Sequence, residues 1–137
     1  MPAATALDHV TVVSDDFAAS RSVYEAVLGA IALTPLTEFT DPEGDDDDTG
    51  TVAAVGFAGA DGRAVLWLVA GPAATTGAHL ALRTGDRAGV EAAYRAGLAA
   101  GARGVQAPRV WEAAHLDYYG AQLADPSGNI IEVLYRQ

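Results

Sequence analysis

The chain has 137 residues, with 8 basic and 18 acidic side chains, a formal net charge of −10 and a hydrophobic share of 50%. This balance is typical of one folded domain, and the absence of cysteine excludes disulfides and thiol catalysis. Scattered arginines without any lysine argue against a nucleic-acid partner, and no apolar run approaches the roughly 18 residues that a membrane helix needs. The N-terminal residues lack the features of a secretory leader, so a cytoplasmic location is expected.

A shift of 70 residues aligns the chain with itself, and the aligned pairs include His9 with His79 and Tyr24 with Tyr94. Alternation and helical spacing predict the same order of elements, β-α-β-β-β, in both halves. In the first half, strands are predicted at residues 7–13, 31–36, 51–57 and 63–69, with a helix at 17–28. In the second half, strands are predicted at residues 78–83, 104–110, 118–123 and 129–135, with a helix at 87–100.

The repeat predicts a single α+β domain over residues 1–137, made of two β-α-β-β-β modules. Module one covers residues 1–72 and module two covers residues 73–137, with a short linker of small residues near 71–76. The charge is divided unevenly between the two halves. Residues 1–70 contain 12 acidic and 2 basic side chains, which gives −10, whereas residues 71–137 contain 6 of each.

Helix ends and one loop are also predicted from residue type. Asp16 and Asp86 stand where N-terminal helix caps are expected. Gly29 and Gly101 are expected just past the two helices, where a residue at positive φ ends a helix. The acidic run at residues 38–48 is predicted to be a solvated loop, because its like charges repel one another and its proline and glycine discourage regular structure.

Three residues make the strongest candidate for a chemical site. His9 and His79 occupy equivalent positions of the duplicated strands, and a curved sheet would bring them together. Glu132 is the only charge in an apolar strand, so it needs a cationic partner. Two histidines and one carboxylate are a ligand set that holds a divalent metal and leaves coordination positions open. The alternatives are hydrogen-bonded structural histidines, and an edge strand with Glu132 in water or paired with an arginine.

Four segments carry a resemblance to a known family along essentially the whole chain. They are Leu7-Asp8-His9-Val10-Thr11-Val12, Tyr24-Glu25-Ala26-Val27-Leu28-Gly29, His79-Leu80-Ala81-Leu82, and Asp125-Pro126-Ser127-Gly128-Asn129-Ile130-Ile131-Glu132. Together they resemble the glyoxalase, bleomycin-resistance and extradiol dioxygenase superfamily, which has the vicinal oxygen chelate fold. The resemblance implies a curved mixed sheet cup with the helices outside, and a site for a divalent metal ion (Fe, Mn, Ni, Co or Zn) at His9, His79 and Glu132.

The resemblance also implies a function and an assembly. It implies a metal-dependent enzyme that acts on a small-molecule substrate whose adjacent oxygens chelate the metal, by lyase, isomerase or ring-cleaving dioxygenase chemistry. A homodimer is expected, since such families often build each cup from modules of two chains. Glyoxalase I enzymes have a fourth ligand, Glu or Gln, where this chain has Trp67, or Leu66 or Leu68 if the register slips by one. The remaining pattern is more similar to three-ligand extradiol dioxygenases and fosfomycin-resistance transferases, although the basic tail of the latter is missing.

Other residues are expected around the cup. Thr11 and Trp67 should face the site and contact substrate, and the segment around residues 111–119 is rich in polar and aromatic groups that suit a substrate loop. Trp111 and Tyr119 are its candidate substrate contacts. His115 precedes a tyrosine pair, as in similar family members of unassigned activity. His115, as a general base or substrate ligand, and Tyr118 are therefore the candidate catalytic residues.

A metal-free binding protein of the bleomycin-resistance type is the alternative function. Such a protein holds an aromatic or cationic antibiotic in the cup. The net charge of −10 and the aromatic residues Trp67, Trp111, Tyr118 and Tyr119 favour it, whereas the complete set of two histidines and one carboxylate argues for a metal.

Overall fold

A computed structural model describes residues 7–40, 52–113 and 116–137. Within these residues two helices and eight strands follow one another in the predicted order, which confirms the α+β fold of two β-α-β-β-β modules. Module one contains β1 (Val10–Ser14), α1 (Phe17–Gly29), β2 (Thr34–Thr40), β3 (Val52–Ala58) and β4 (Ala64–Ala70). Module two contains β5 (His79–Arg83), α2 (Arg87–Ala99), β6 (Arg103–Ala113), β7 (Leu116–Ala124) and β8 (Ile130–Tyr135).

Each module forms its own four-stranded mixed sheet. Sheet A has the order β1-β4-β3-β2, and sheet B has the equivalent order β5-β8-β7-β6. In both sheets the first strand pairs in parallel with the last, and the other neighbours are antiparallel. The two halves therefore repeat each other in topology as well as in sequence.

The two faces of each sheet differ because side chains alternate along a strand. One face, the helix face, packs on a helix: α1 contacts sheet A, α2 contacts sheet B, and the two helices contact each other. We call the opposite face the open face. Gly97 makes the close packing of the helices feasible, since a Cβ there would lie 2.8 Å from Val27 Cγ2 and 2.5 Å from Leu123 Cδ1. In the described part of the chain, no helix is long and apolar enough to pass through a lipid bilayer.

The helix caps are confirmed, and one of the two predicted helix ends is wrong. Asp16 accepts a hydrogen bond from the Ala19 amide and Asp86 from the Gly89 amide. Gly101 has the expected positive φ of 104°. Gly29 instead lies inside α1, and Ala32 takes the positive φ, 65°. The helix continues to Gly29, and Leu33 then donates its amide to the Leu28 carbonyl at 2.9 Å, so the reversal is completed at Ala32.

The predicted acidic loop begins later than expected. Residues 38–40 belong to β2, which pairs with β3, and Glu38 forms an ion pair with Arg21 of α1. Strand pairing and this ion pair hold Glu38 in regular structure despite the acidic residues that follow it. Residues 41–48 lie outside the described residues.

A buried hydrogen-bond network, the clasp, joins the two modules. Its members are Tyr24, Thr75, Asp125 and Asn129. The Tyr24 hydroxyl donates to Asp125 Oδ2 at 2.7 Å, and Asn129 Nδ2 donates to the same oxygen at 2.9 Å and to the Thr75 carbonyl at 2.8 Å. Tyr24 and Asn129 are fully buried. The clasp therefore ties α1 and the linker to the turn before β8.

Removing the Tyr24 hydroxyl should destabilise the protein. We expect Tyr24→Phe to lower the free energy of unfolding by about 1–3 kcal/mol, because a buried hydrogen bond to a carboxylate is lost. Urea denaturation measures this change. Tyr94→Phe is the matched control, since no hydrogen bond of its hydroxyl is found among the described residues. Equal stability of Tyr24→Phe and the wild type would contradict a stabilising role of the clasp.

The clasp also predicts a pH dependence. Burial and the hydrogen bond to Asp125 raise the pKa of Tyr24 far above its ordinary value of 10.0. Above about pH 10 the unfolded chain loses a proton that folded Tyr24 keeps, so the free energy of unfolding falls as pH rises. Below that pH Tyr24 contributes no pH dependence. We expect the alkaline decline, measured by urea denaturation between about pH 9 and 11, to be steeper in the wild type than in Tyr24→Phe; parallel declines would contradict this account.

Candidate metal and ligand site

The site begins with a buried carboxylate on the open face of sheet B. Glu132 of β8 is 3% exposed. His79, at the start of β5, places Nε2 2.7 Å from Glu132 Oε1, and the Tyr118 hydroxyl of β7 donates to Oε2 at 2.8 Å. A carboxylate only accepts hydrogen bonds, so His79 donates its Nε2 proton here. Two of the three predicted metal ligands therefore meet, and Tyr118 holds one of them.

Tyr118 is fixed from three sides. Its ring stacks on Trp111 with ring centroids 6.1 Å apart, and the Arg136 guanidinium lies 5.3 Å from the ring centroid. Gly120 leaves room for the ring, since a Cβ there would lie 3.0 Å from Tyr118 Cε2. Burial and the bond to Glu132 raise the pKa of Tyr118, against the smaller opposing effect of the nearby arginines. The phenol therefore stays protonated at neutral pH and acts as a donor to Glu132.

Trp111 extends this aromatic surface across β6. Its Nε1 donates to the Gly120 carbonyl at 3.3 Å, and the Arg109 guanidinium lies 4.0 Å from its ring. Trp111 is opposite Tyr118 in the register of β6 and β7, so both rings lie on the open face. The predicted substrate contact Trp111 thus stacks on Tyr118, the residue that donates to Glu132.

The open face of sheet A carries no carboxylate at the corresponding position. Thr11 pairs with Trp67 in the register of β1 and β4, just as Ala81 pairs with Glu132 in the register of β5 and β8. Trp67 is therefore the counterpart of Glu132, as the sequence predicted, while Leu66 and Leu68 are buried on the helix face. This position lacks the fourth ligand of the glyoxalase I pattern.

An aromatic pair occupies that position instead. Phe39 of β2 stacks on Trp67 with ring centroids 5.6 Å apart, and Phe39 is 56% exposed. The indole lies directly against β3 at Gly56, where a Cβ would be 2.9 Å from the ring. The open face of sheet A therefore offers a flat apolar surface beside Thr11.

His9 lies directly before β1 rather than inside the strand. Its Nδ1 is 2.8 Å from Asp8 Oδ1, and the Arg63 guanidinium donates to Asp8 Oδ2 at 3.2 Å. The bond from His9 and the charge of Arg63 lower the pKa of Asp8. An ionised Asp8 accepts the Nδ1 proton, which leaves His9 Nε2 as the nitrogen with a free lone pair. This tautomer suits a metal ligand.

His9 does not join the pair on sheet B within this chain. Among residues 7–40, 52–113 and 116–137, no group of three histidine, aspartate or glutamate side chains is arranged to hold a metal ion. His79 and Glu132 are together, whereas His9 belongs to the other module.

Tyr119 and His115 were also predicted to belong to the site. Tyr119 points to the helix face, because it follows Tyr118 in the strand. Its hydroxyl donates to Glu91 at 2.8 Å and the Arg87 guanidinium lies 4.7 Å from its ring. The structure thus places Tyr119 away from the open face, contrary to its predicted substrate contact. His115 lies outside the described residues.

Sequence reasoning missed two residues of the site. Phe39 lies in the stretch that was predicted to be a loop. In a strand, its side chain and that of Glu38 point to opposite faces of the sheet, and the face of Phe39 is the one that carries Trp67. Arg136 follows Glu132 by four residues in the direction of β8, so period-two alternation places it on the same face. Its stacking on Tyr118 has no separate signal in the sequence.

Substituting Gly56 should disturb the aromatic pair on sheet A. We expect Gly56→Ala to displace the Trp67 indole and to cost about 1–3 kcal/mol of unfolding free energy, because the new methyl group overlaps the ring. Tryptophan fluorescence in a Trp111→Phe background reports the displacement. Gly85→Ala is the control, since a Cβ there meets nothing within 4 Å. Unchanged fluorescence and stability in Gly56→Ala would contradict the described position of Trp67.

Comparison with known proteins agrees with this architecture. A glyoxalase/bleomycin resistance protein from Albidiferax ferrireducens is 23% identical, with a TM-score of 0.76 over 96% of this chain and 100% of that chain. A glyoxalase/bleomycin resistance protein/dioxygenase family enzyme from Burkholderia phytofirmans is 18% identical, with a TM-score of 0.63 over 96% and 98%. Lactoylglutathione lyase from Agrobacterium tumefaciens is 20% identical, with a TM-score of 0.63 over 98% and 96%.

At sequence identities of 18% to 23%, the similarity to these structures shows a shared fold. No curated protein matches the sequence. Residues 6–133, nearly the whole chain, match the family described as the Glyoxalase/Bleomycin resistance protein/Dioxygenase superfamily. The duplicated module, the sheet order and this match lead to one conclusion: the chain belongs to that superfamily.

Proposed function

We propose that this protein is a divalent-metal-dependent enzyme that acts on a small molecule with two adjacent oxygens. The observation that carries the proposal is the buried Glu132 carboxylate on an open sheet face, with His79 Nε2 2.7 Å from one of its oxygens. A buried carboxylate is costly unless it is paired, and this one accepts hydrogen bonds from His79 and Tyr118. Glu132 and His79 together would hold a divalent metal.

The donor set fits a divalent ion of intermediate softness. An imidazole nitrogen and a carboxylate oxygen already converge, and His9 offers a second imidazole whose Nε2 is left free by the bond to Asp8. Two imidazoles and one carboxylate suit Fe, Mn, Co, Ni or Zn rather than an ion that needs thiolates. Tyr118 supports the set from outside by holding the second oxygen of Glu132.

The geometry supports a site shared between two subunits. In the part of the chain that the structure describes, the helices pack on the opposite faces of the two sheets, and His9, His79 and Glu132 do not form a three-ligand group. Charge supports the pairing of unlike modules. Residues 1–70 carry all of the net charge of −10, whereas the open face of sheet B includes Arg109, stacked on Trp111. In the proposed homodimer, His9 of the partner subunit completes the site.

The residues have distinct roles in the proposed site. His79, Glu132 and His9 of the partner subunit hold the ion, which when bound polarises an oxygen-chelating substrate or, as Fe(II), supports oxygen chemistry. Tyr118 is a positioning residue, because it donates to Glu132 and keeps that carboxylate oriented. Trp111 supplies a flat wall beside the pair, and Thr11 and Trp67 supply the facing wall from the other sheet. Trp67 in place of a fourth ligand favours a three-ligand reaction, such as ring cleavage, over glyoxalase I chemistry.

Thermal unfolding with added metal tests the proposal. A metal that binds only the folded state raises its stability by about 2.7 kcal/mol at a concentration 100 times Kd, so the melting temperature should rise with a divalent ion and fall after chelation. Acetohydroxamate, which has two adjacent oxygens, should then bind the metal-loaded protein and not the chelated one. Melting that no divalent ion changes, or equal acetohydroxamate binding with and without metal, would contradict the proposal.

The stacked Phe39 and Trp67 favour a second candidate, a binding protein for aromatic cations. This pair of an exposed Phe39 and a partly buried Trp67 lies in the module that carries the whole net negative charge, and aromatic faces attract cations. Under this candidate a flat cationic ligand binds equally well in the presence of chelator, and Trp67→Ala abolishes binding. If removal of the metal is enough to abolish ligand binding, the result supports the enzyme and contradicts this second candidate.

A further inference from the structure

A second concave site lies at the end of sheet B, where β8 stops. This cavity of about 360 Å³ is lined by Arg87, Val110, Tyr118, Tyr119, Tyr135 and Arg136, among others. It reaches residues of the helix face, such as Arg87 and Tyr119, that the proposed metal site does not use. Tyr118 borders both sites: its hydroxyl bonds Glu132, and its ring lines the cavity.

Two arginines, each with its guanidinium over a tyrosine ring, line this cavity. The Arg87 guanidinium lies 4.7 Å from the Tyr119 ring centroid, and the Arg136 guanidinium lies 5.3 Å from that of Tyr118. Stacking occupies a face of each guanidinium and leaves its N–H edge to donate hydrogen bonds. In the part of the chain that the structure describes, neither arginine forms an ion pair. Glu91, one turn after Arg87, instead accepts the hydrogen bond of Tyr119.

The cavity also offers aromatic surface to a ligand. Three tyrosine rings and Val110 supply the apolar part of a lining whose exposed surface is more polar than apolar. Aromatic walls favour a flat ligand that stacks on them, and a guanidinium matches the two oxygens of a carboxylate in a bidentate pair. A cavity of about this size is at the small end of ligand sites in proteins.

We propose that this cavity binds a small aromatic carboxylate, with Arg87 and Arg136 holding the carboxylate and the tyrosine rings contacting the flat body. Neither arginine contacts His79 or Glu132 among the described hydrogen bonds and ion pairs, so ligand binding at this cavity and metal binding can be measured separately. Both arginines lie within residues 71–137, the half of the chain that has no net charge.

Titration calorimetry with benzoate tests the proposal on the full chain in the presence of chelator. Benzoate should bind the wild type, and Arg87→Gln and Arg136→Gln should each weaken binding about tenfold or more, as expected for a lost charge-assisted hydrogen bond. Arg95→Gln is the matched control, because Arg95 is exposed on the same helix and does not line the cavity. Benzamide, with the same ring and no charge, should bind at least about tenfold more weakly than benzoate.

Further outcomes separate this cavity from other sources of binding. Inorganic phosphate that binds as tightly as benzoate would overturn the assignment to an aromatic carboxylate. Absence of benzoate binding, or equal affinity in the wild type, Arg87→Gln and Arg136→Gln, would overturn the site itself. His79→Ala should keep the benzoate affinity of the wild type; loss in that variant would place the ligand at the metal site and overturn the proposal. If the protein binds no metal, the expected benzoate affinities stay the same, because benzoate binding is measured in the presence of chelator.

Discussion

The His79→Ala and Glu132→Gln variants should lose tight binding of divalent metal. Each removes one of three protein donors, and the donors of such a site act together. We expect the affinity to fall by more than about 100-fold, the upper range for substitutions of outer-shell partners. Tyr118→Phe, which removes only the support of Glu132 Oε2, should reduce affinity by about 10-fold. Equilibrium dialysis followed by elemental analysis measures all three.

Two controls make this series interpretable. Arg95→Gln, a change on the exposed side of α2, should bind metal as the wild type does. Circular dichroism and urea denaturation should show folded variants, because His79 is half exposed and Gln preserves the shape of Glu132. Folded His79→Ala or Glu132→Gln protein that binds one metal per chain with wild-type affinity would refute their assignment as ligands.

The second large effect is complementation between two inactive chains. If His9 serves the site of the partner subunit, His9→Ala and Glu132→Gln homodimers both lack intact sites. A mixed dimer has one site with both substitutions and one with neither. After co-expression in equal amounts, random pairing should therefore restore about one metal ion for every four chains.

The purified mixed dimer sharpens the measurement. Two different affinity tags without histidine isolate it, and it should bind about one metal per dimer. The control is co-expression of His79→Ala with Glu132→Gln, since both substitutions fall in module two and no pairing restores a site. Mixed dimers without metal, or a wild-type monomer that binds metal fully, would place His9 outside a shared site.

Much of the fold was predictable because it depends on local patterns. The 70-residue repeat and the alternating strands determine the element order, and Asp16 and Asp86 cap the helices as residue type suggests. The exception is also local. Gly29 is the last residue of α1, and the chain reverses three residues later. There Ala32 has the positive φ, and the Leu33 amide donates to the Leu28 carbonyl.

The site was predictable in part. Alternation and repeat register identify His79 as the counterpart of His9 and Trp67 as the counterpart of Glu132, and the structure brings His79 and Glu132 into contact. Among the described residues His9 does not form a three-ligand group with them, which the spacing in the sequence did not predict. Tyr119 shows the limit of residue type, since a shift of one position in a strand moves a side chain to the other face.

Metal content is the measurement that tests the central claim most directly. The wild-type chain should be purified without chelators and without a metal-affinity step, and then analysed for Fe, Mn, Co, Ni and Zn beside the His79→Ala variant. The account predicts about one divalent metal ion per chain in the wild type and almost none in the variant. A wild-type protein that contains no metal, and takes up none on dialysis against these ions, would contradict it.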